Sequence, residues 1–150
     1  MTPRWHDFQD TGHEPMEQDH RQIAKAQSRL LEAVNAGRQV EAVLILDALL
    51  DAYRDHFAHE ERLMAEYAYP HAARHKETHD LFLADSERAL AGLQANGLAE
   101  PFRRWVTGRF LEWFRFHIAA NDVGLGRFLE ARLPAAPAHE PAADRTGTSS

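Results

Sequence analysis

The chain has 150 residues, of which 44% are hydrophobic and 27% are charged, and it contains no cysteine. This length suits one compact domain, and the lack of cysteine excludes disulfides, thiolate metal sites, iron–sulfur clusters and a thiol nucleophile. A formal net charge of -6 disfavours nucleic-acid binding, which needs a basic surface. The sequence has no apolar run of membrane-spanning length and no secretory signal pattern, so we expect a cytoplasmic protein.

Apolar residues recur at helical spacing in four successive segments. These predicted helices cover about residues 16–37, 40–70, 72–97 and 101–134. Gly37 and Gly97 are typical C-terminal stops, Pro70 forbids continuation of the second helix, and Pro101 suits the first turn of the fourth. No segment alternates like a β-strand. The short connections therefore predict an all-α fold, an antiparallel up-down-up-down four-helix bundle.

Residues 1–133 are expected to form this bundle with an N-terminal arm. Residues 134–150, which include His139, are rich in proline, alanine and small polar residues, and they bury too little to offset their ordering entropy. We therefore expect a disordered C-terminal tail.

Five of the ten histidines lie on the predicted inward faces of the helices. They are His20, His56, His75, His79 and His117. Glu60 follows His56 by four residues, and His75 and His79 are also four apart, so each pair projects from one side of its helix. A lone histidine in a core is more often a hydrogen-bonded packing residue than a ligand. Five on four converging helices indicate a metal site, because each unpartnered ring would cost roughly a few kcal/mol.

Counting ligands favours two metal ions. Five imidazole nitrogens exceed the needs of one zinc. With Glu60 and Asp122 as bridging carboxylates and one bridging hydroxide, two octahedral ions are left with one open position, which suits a small diatomic ligand. Nitrogen and carboxylate ligands without sulfur favour iron over manganese or zinc. Asp122 lies five residues after His117, about 140° around an ideal α-helix, so spacing alone would not pair these two residues, and a local bulge would help to bring them together.

Four segments together resemble the ligand signature of the hemerythrins, in their bacterial single-domain form. They are MEQDH ending at His20, HFAHEE beginning at His56, HKETH beginning at His75 and WFRFHIAAND ending at Asp122. The resemblance covers about residues 5–129. It implies a four-helix bundle with a diiron site in its core.

The resemblance also implies a role for each ligand. His75, His79 and His117 would hold one iron, His20 and His56 would hold the iron with the open position, and Glu60 and Asp122 would bridge the two ions together with an oxo or hydroxo group. Matching aromatic and aliphatic residues would line an oxygen pocket and exclude water, although such residues are also ordinary core. These pocket residues are Trp5, Phe57, Phe82, Trp113, Phe114 and Ile118.

The implied function is reversible dioxygen binding for transport, storage or delivery, without enzymatic turnover, and delivery would call for a partner protein that accepts the oxygen. One alternative is a sensor of oxygen, nitric oxide or iron that acts through a separate partner. Another is a diiron oxidase or peroxidase. Ferritin-like diiron proteins carry a Glu-x-x-His pair on each of two helices, and this chain lacks such a pair on a second helix. A metal-free bundle is the least favoured interpretation.

Other residues are expected to be peripheral. His6, His13 and His71 lie in predicted termini or turns and are expected to be solvated, while His59 is expected beside the site or on the surface. Gly124 and Gly126 each weaken the predicted fourth helix by up to about 1 kcal/mol, and the sequence gives no reason for them.

Overall fold

The computed structural model describes residues 10–133, and this part of the chain is helical and has no strand. Three long helices come first: α1 (Glu14–Asn35), α2 (Gln39–Glu66) and α3 (Ala72–Asn96). The fourth arm of the bundle consists of α4 (Glu100–Thr107), α5 (Arg109–His117), a π-helical turn (Ile118–Asp122) and α6 (Val123–Arg132). Trp5, His6, His139 and the predicted tail lie outside the described residues.

The arms form a closed, antiparallel ring. α1 packs on α2, α2 packs on α3, and α4 contacts both α3 and α1. Between α1 and α2, Gln27 bonds Tyr53 and the earlier Asp19 bonds the later His56, which is an antiparallel register. The hydrogen bonds between α2 and α3, and those between α3 and α5, show the same antiparallel register. The predicted all-α, up-down-up-down bundle is confirmed.

The sequence signals place most helix ends correctly. Gly37 and Gly97 follow α1 and α3 with φ of 73° and 76°, conformations that glycine adopts without a steric cost. Pro101 lies in the first turn of α4. α2 ends at Glu66, before the predicted stop at Pro70, because the chain already turns at Ala68, where φ is 53°.

The prediction of one continuous fourth helix is wrong. Gly108, with φ -120° and ψ -92°, separates α4 from α5. A Cβ at this position would lie 3.2 Å from the Arg104 carbonyl oxygen, so the interruption suits glycine. The second break is the π-helical turn between α5 and α6.

Two apolar clusters fill the bundle. The larger includes the aromatic side chains of Tyr53, Phe57, Phe82, Phe110 and Phe114. The smaller contains Met16, Met64, Leu125 and Leu129 and closes the end where α1 begins and α2 ends. The ligand candidates next to this end, such as His20 and Glu60, lie between the two clusters. No helix within residues 10–133 is both long and apolar enough to cross a membrane.

Candidate metal centre

Seven buried side chains from every arm of the bundle meet between the two clusters. They are His20, His56, Glu60, His75, His79, His117 and Asp122, each at most 4% exposed. Their ligand atoms fall into two sets that share the carboxylates, and within each set these atoms lie within 4.8 Å of one another. Set A is His75, His79 and His117 with Glu60 and Asp122; set B is His20 and His56 with the same carboxylates.

Set A has the spacing of ligands around one octahedral ion. Nε2 of His117 lies 3.2 Å from Nε2 of both His75 and His79. Oε1 of Glu60 is 3.2 Å and 3.1 Å from Nε2 of His75 and His79, and Oδ1 of Asp122 is 3.1 Å from Nε2 of His75 and of His117. With bonds of about 2.1 Å, as imidazole makes to zinc, neighbouring ligands of an octahedral ion are about 3.0 Å apart.

Set B uses the other oxygen of each carboxylate. Oε2 of Glu60 lies 2.8 Å from Nε2 of His56, and Oδ2 of Asp122 lies 2.9 Å from Nε2 of His20. Each carboxylate therefore directs one oxygen toward the histidines of set A and its second oxygen toward the histidines of set B. That is the arrangement that two bridging carboxylates require.

Several buried polar atoms at the centre lack the hydrogen bonds that burial demands. Within residues 10–133, Nε2 of His56, both carboxylate oxygens of Glu60 and Oδ1 of Asp122 are buried without a hydrogen bond. Although His56 and Glu60 approach closely, the two atoms are not aligned as donor and acceptor. Such groups cost free energy when unpartnered. Metal ions would supply the missing partners, so the residues fit a metal pair.

Without metal, the centre is a network of charged pairs. Burial lowers the pKa of His56, but the charge of Glu60, the hydrogen bond to Asp19 and the close approach of the Glu60 carboxylate outweigh burial and raise it to about 10. Burial likewise lowers the pKa of His75, which the nearby carboxylates of Asp122 and Glu60 raise to about 9. Burial raises the pKa values of Glu60 and Asp122, yet the surrounding histidines hold both well below the usual range. Protons thus occupy positions where cations would bind.

Outward-facing Nδ1 atoms are positioned by a second set of residues. Three of these nitrogens are within hydrogen-bond distance of a side-chain oxygen: Nδ1 of His56 lies 2.9 Å from Oδ2 of Asp19, Nδ1 of His79 lies 2.9 Å from Oε2 of Glu61, and Nδ1 of His117 lies 3.3 Å from Oγ1 of Thr78. Nδ1 of His20 makes a longer charge contact, 3.6 Å, with Oε2 of Glu17. An Nδ1–H donated outward directs the Nε2 lone pair toward the centre.

Sequence reasoning missed Asp19, Glu61 and Thr78. Asp19 and Glu61 each adjoin a predicted ligand in the sequence, but each orients a histidine on a neighbouring helix. Only the register between helices reveals these pairs. The sequence offered one signal for Asp19 and Glu61, which is that each directly adjoins a predicted metal ligand.

The predicted pocket residues pack against the imidazoles. Phe57 stacks on His79, with ring centroids 3.8 Å apart, and Trp113 stacks on His117 at 4.3 Å. Phe114 meets His20 edge to face at 5.5 Å. Phe82 in turn stacks on Trp113 at 3.9 Å, and Ile118 is fully buried.

Tyr53 also belongs to this aromatic wall, although the sequence indicated only a core residue. Its ring contacts Phe57, Phe82 and Phe114. The hydroxyl accepts a 2.7 Å hydrogen bond from Nε2 of Gln27. Burial, with a smaller effect of the Asp122 charge, raises the Tyr53 pKa well above its usual range, so the phenol stays protonated.

The expected bulge in the fourth arm is confirmed. The π-helical turn Ile118–Asp122 brings Oδ1 of Asp122 to 3.1 Å from Nε2 of His117 across a five-residue spacing. Such turns place extra residues in a helix, frequently at functional sites.

A close backbone approach accounts for Gly126, whereas the contact at Gly124 is with the end of a flexible side chain and leaves that glycine without a structural explanation. A Cβ on Gly126 would collide with the Thr11 carbonyl. The backbone N–H of Thr11 donates to Glu17 at 2.8 Å, and Glu17 lies beside His20. A Cβ on Gly124 would meet the Tyr69 hydroxyl at 3.3 Å.

The peripheral histidines differ from one another. The expectation that His13 is solvated is wrong: it is 6% exposed, and its Nδ1 lies 2.8 Å from Oε2 of Glu130, because the start of α1 packs against α6. His71 is exposed as expected. His59 is half-buried beside the centre, with Nδ1 3.8 Å from Oδ2 of Asp19.

Comparison with known proteins agrees with this geometry. The family model described as Hemerythrin HHE cation binding domain matches residues 11–129. The chain is 27% identical over 130 residues to a bacteriohemerythrin of Stenotrophomonas maltophilia (strain R551-3), covering 86% of this chain and 82% of that protein. It is also 27% identical over 120 residues to a bacteriohemerythrin of Pseudomonas aeruginosa (strain LESB58), covering 80% of this chain and 76% of that protein. Since the family match spans most of the sequence, the chain belongs to the hemerythrin family of cation-binding domains.

Proposed function

We propose that the protein binds dioxygen reversibly at a diiron centre held by sets A and B. The observation that carries this proposal is the division of each carboxylate between two unequal groups of histidines. Glu60 and Asp122 would bridge the ions, and the ions would differ because set A has three imidazoles and set B has two.

The unequal number of histidines in the two sets supports an open coordination position at the set B ion. Three nitrogens, two carboxylate oxygens and one bridging hydroxide complete six ligands in set A, whereas set B reaches only five. A pair of ferrous ions would supply two electrons and a free coordination position for dioxygen. The protein's contribution is to supply two histidines, His20 and His56, to set B where it supplies three to set A.

The protein environment favours binding over turnover. Phe114 and Ile118 are at most 1% exposed, and Phe114 lies against His20 in set B. An apolar wall there excludes water and slows proton-assisted loss of the bound ligand. The donor set is rich in nitrogen, in contrast to the carboxylate-rich sets of ferritin-like diiron proteins. We therefore propose a carrier, storage or delivery role.

Charge balance also supports two divalent ions. Two Fe²⁺ bring four positive charges, the bridging carboxylates remove two and a hydroxide removes one. A single positive charge remains in the buried centre, which limits the desolvation cost.

Metal analysis combined with an oxygenation cycle tests the proposal. The purified chain should hold about two irons, and His56→Ala and His79→Ala should each lose most of that metal, whereas His59→Ala should retain it. Reduced protein exposed to air should gain a visible charge-transfer band that disappears on deoxygenation. One iron per chain, or full occupancy in both ligand variants, would contradict the diiron assignment.

A further inference from the structure

Unlike the outward nitrogens of the other four histidines, that of His75 has neither a carboxylate contact nor a hydrogen bond among residues 10–133. Nδ1 of His75 is buried and makes no hydrogen bond in the described part of the chain, and the whole residue is 1% exposed. Its Nε2 faces Glu60 and Asp122, so Nδ1 is the nitrogen turned away from the centre. Metal-ligating histidines almost always donate this second N–H to an acceptor. Residues 10–133 supply no such acceptor to His75.

A cavity of about 240 Å³ lies on the outer side of His75. Its lining is Tyr69, His71, Arg74, His75, Ala120 and Asn121, none of which is acidic. Arg74 is exposed and forms no ion pair or hydrogen bond with any residue from 10 to 133. The cavity therefore brings together a guanidinium and an imidazole nitrogen, neither of which is paired with any residue from 10 to 133.

The start of α3 adds further positive potential. α3 begins at Ala72, has 25 residues, and lacks both a side-chain cap and an acidic residue in its first turn. The first amides of a helix have no partner within the helix, and the helix dipole favours an anion there. Arg74 and His75 belong to this first turn.

We propose that this cavity binds one small oxyanion, a carboxylate or phosphate group, that accepts hydrogen bonds from Nδ1–H of His75 and from Arg74. The anion completes the hydrogen bonding of His75 from outside the metal centre. The effect on the metal rests on the proposed diiron function. When Nε2 of His75 binds the metal, the ring proton is on Nδ1, where the anion can accept it in a hydrogen bond. An anion at Nδ1–H makes the imidazole a stronger donor to the metal and lowers the reduction potential of the centre.

Isothermal titration calorimetry at constant ionic strength tests the site directly. Sodium phosphate and sodium acetate are titrated separately into the protein as purified. We expect saturable binding of at least one of these anions and an affinity at least about tenfold weaker in Arg74→Gln, since a charge-assisted contact is removed. Arg88→Gln is the control, because Arg88 lies on the same helix, is 74% exposed and is remote from the cavity. No saturable binding of either anion, or equal affinity in Arg74→Gln, would overturn the proposal.

Redox titration tests the connection to His75 separately. Saturating anion should lower the midpoint potential of the iron-loaded wild type and leave that of Arg74→Gln unchanged. An unchanged wild-type potential with the anion bound would contradict the contact with His75. If the anion binds as expected but the chain holds no iron, the diiron function fails and the oxyanion site stands.

Discussion

Glu61 is the partner of His79 on a neighbouring helix, with Oε2 2.9 Å from Nδ1. Removing such a partner frees the ring and weakens its donor nitrogen, which typically reduces metal affinity 10- to 100-fold. We expect a loss of about that size in Glu61→Ala, measured by competition with a coloured chelator. Glu77→Ala, at an exposed position of α3, is the control. Equal affinities of Glu61→Ala and wild type would show that Glu61 does not support His79.

Phe114 packs against set B: it is 1% exposed and lies edge to face with His20. Phe114→Leu should leave the iron content unchanged and accelerate autoxidation of the oxygenated protein about tenfold, which corresponds to a barrier lower by about 1.4 kcal/mol. Stopped-flow decay of the visible band measures the rate.

Phe102→Leu provides the matched control, because it also truncates a nearly buried ring, one that contacts Trp105 rather than a histidine. Both variants should lose similar stability. If Phe114→Leu decays at the wild-type rate, Phe114 does not protect the open position.

At this scale the sequence identified residues through spacing within one helix. His75 with His79, and His56 with Glu60, are four residues apart and share a face, and the structure brings all four together. Thr78 and Asp19 could not be identified in this way, because each acts on a ring carried by another helix. His13 was misjudged for the same reason: its partner, Glu130, is 117 residues away.

Among the helical elements, the fourth arm carries the most information about function. Its π-helical turn places His117 and Asp122 on one face, and only the unusual five-residue spacing predicted it. Continuous apolar periodicity concealed the break at Gly108. Glycines in a helical pattern lower helix propensity without indicating which neighbour requires them. The contact between Gly126 and Thr11 depends on how the segment before α1 crosses α6.

Gly126→Ala should therefore disturb both the fold and the centre. The added methyl group would displace Thr11, whose hydroxyl and N–H both bond the Glu17 carboxylate beside His20. We expect a loss of about 1 to 3 kcal/mol in the free energy of unfolding, as for other overpacked sites, and weaker metal retention. Denaturant unfolding and metal analysis measure the two effects.

Gly92→Ala is the matched control for this substitution. Gly92 lies within α3, and a Cβ there meets nothing within 4 Å, so alanine should stabilise the helix by up to about 1 kcal/mol. A neutral or stabilising Gly126→Ala would contradict the close approach of Thr11.

For the whole molecule, the centre couples metal binding to protonation. His56 and His75 have pKa values of about 10 and about 9 in the metal-free fold, above the ordinary value of about 6.5. Their charged pairs thus stabilise the metal-free protein fully below about pH 6.5, and this contribution is lost as pH rises through about 9 to 10. The pKa values of Glu60 and Asp122 are lowered, so the stability that these carboxylates contribute is present at neutral pH and is lost as the pH falls into the acid range.

Metal uptake at pH 7 should therefore release about three protons per chain: one each from His56 and His75, because bound histidines must be deprotonated, and one from the water that would form the bridging hydroxide. Affinity should increase from pH 7 to pH 9. Calorimetric titration of ferrous iron under anaerobic conditions, in two buffers of different ionisation enthalpy, gives the number of protons. Release of about one proton or fewer would show that His56 and His75 are neutral in the metal-free protein.

The bundle itself was predictable, since four apolar repeats separated by Gly and Pro signals leave few alternative architectures. What could not be predicted is how the arms align. The division of Glu60 and Asp122 between two sets of histidines depends on that alignment, and so does the isolated Nδ1 of His75.

Oxygen uptake by the reduced protein, with iron measured on the same sample, tests the central claim most directly. An asymmetric pair with one open position should take up one dioxygen for every two irons and release it when the oxygen pressure is lowered, over repeated cycles. Uptake of one dioxygen per iron, or oxygen consumption that continues with reductant and is never released, would contradict a reversible diiron site.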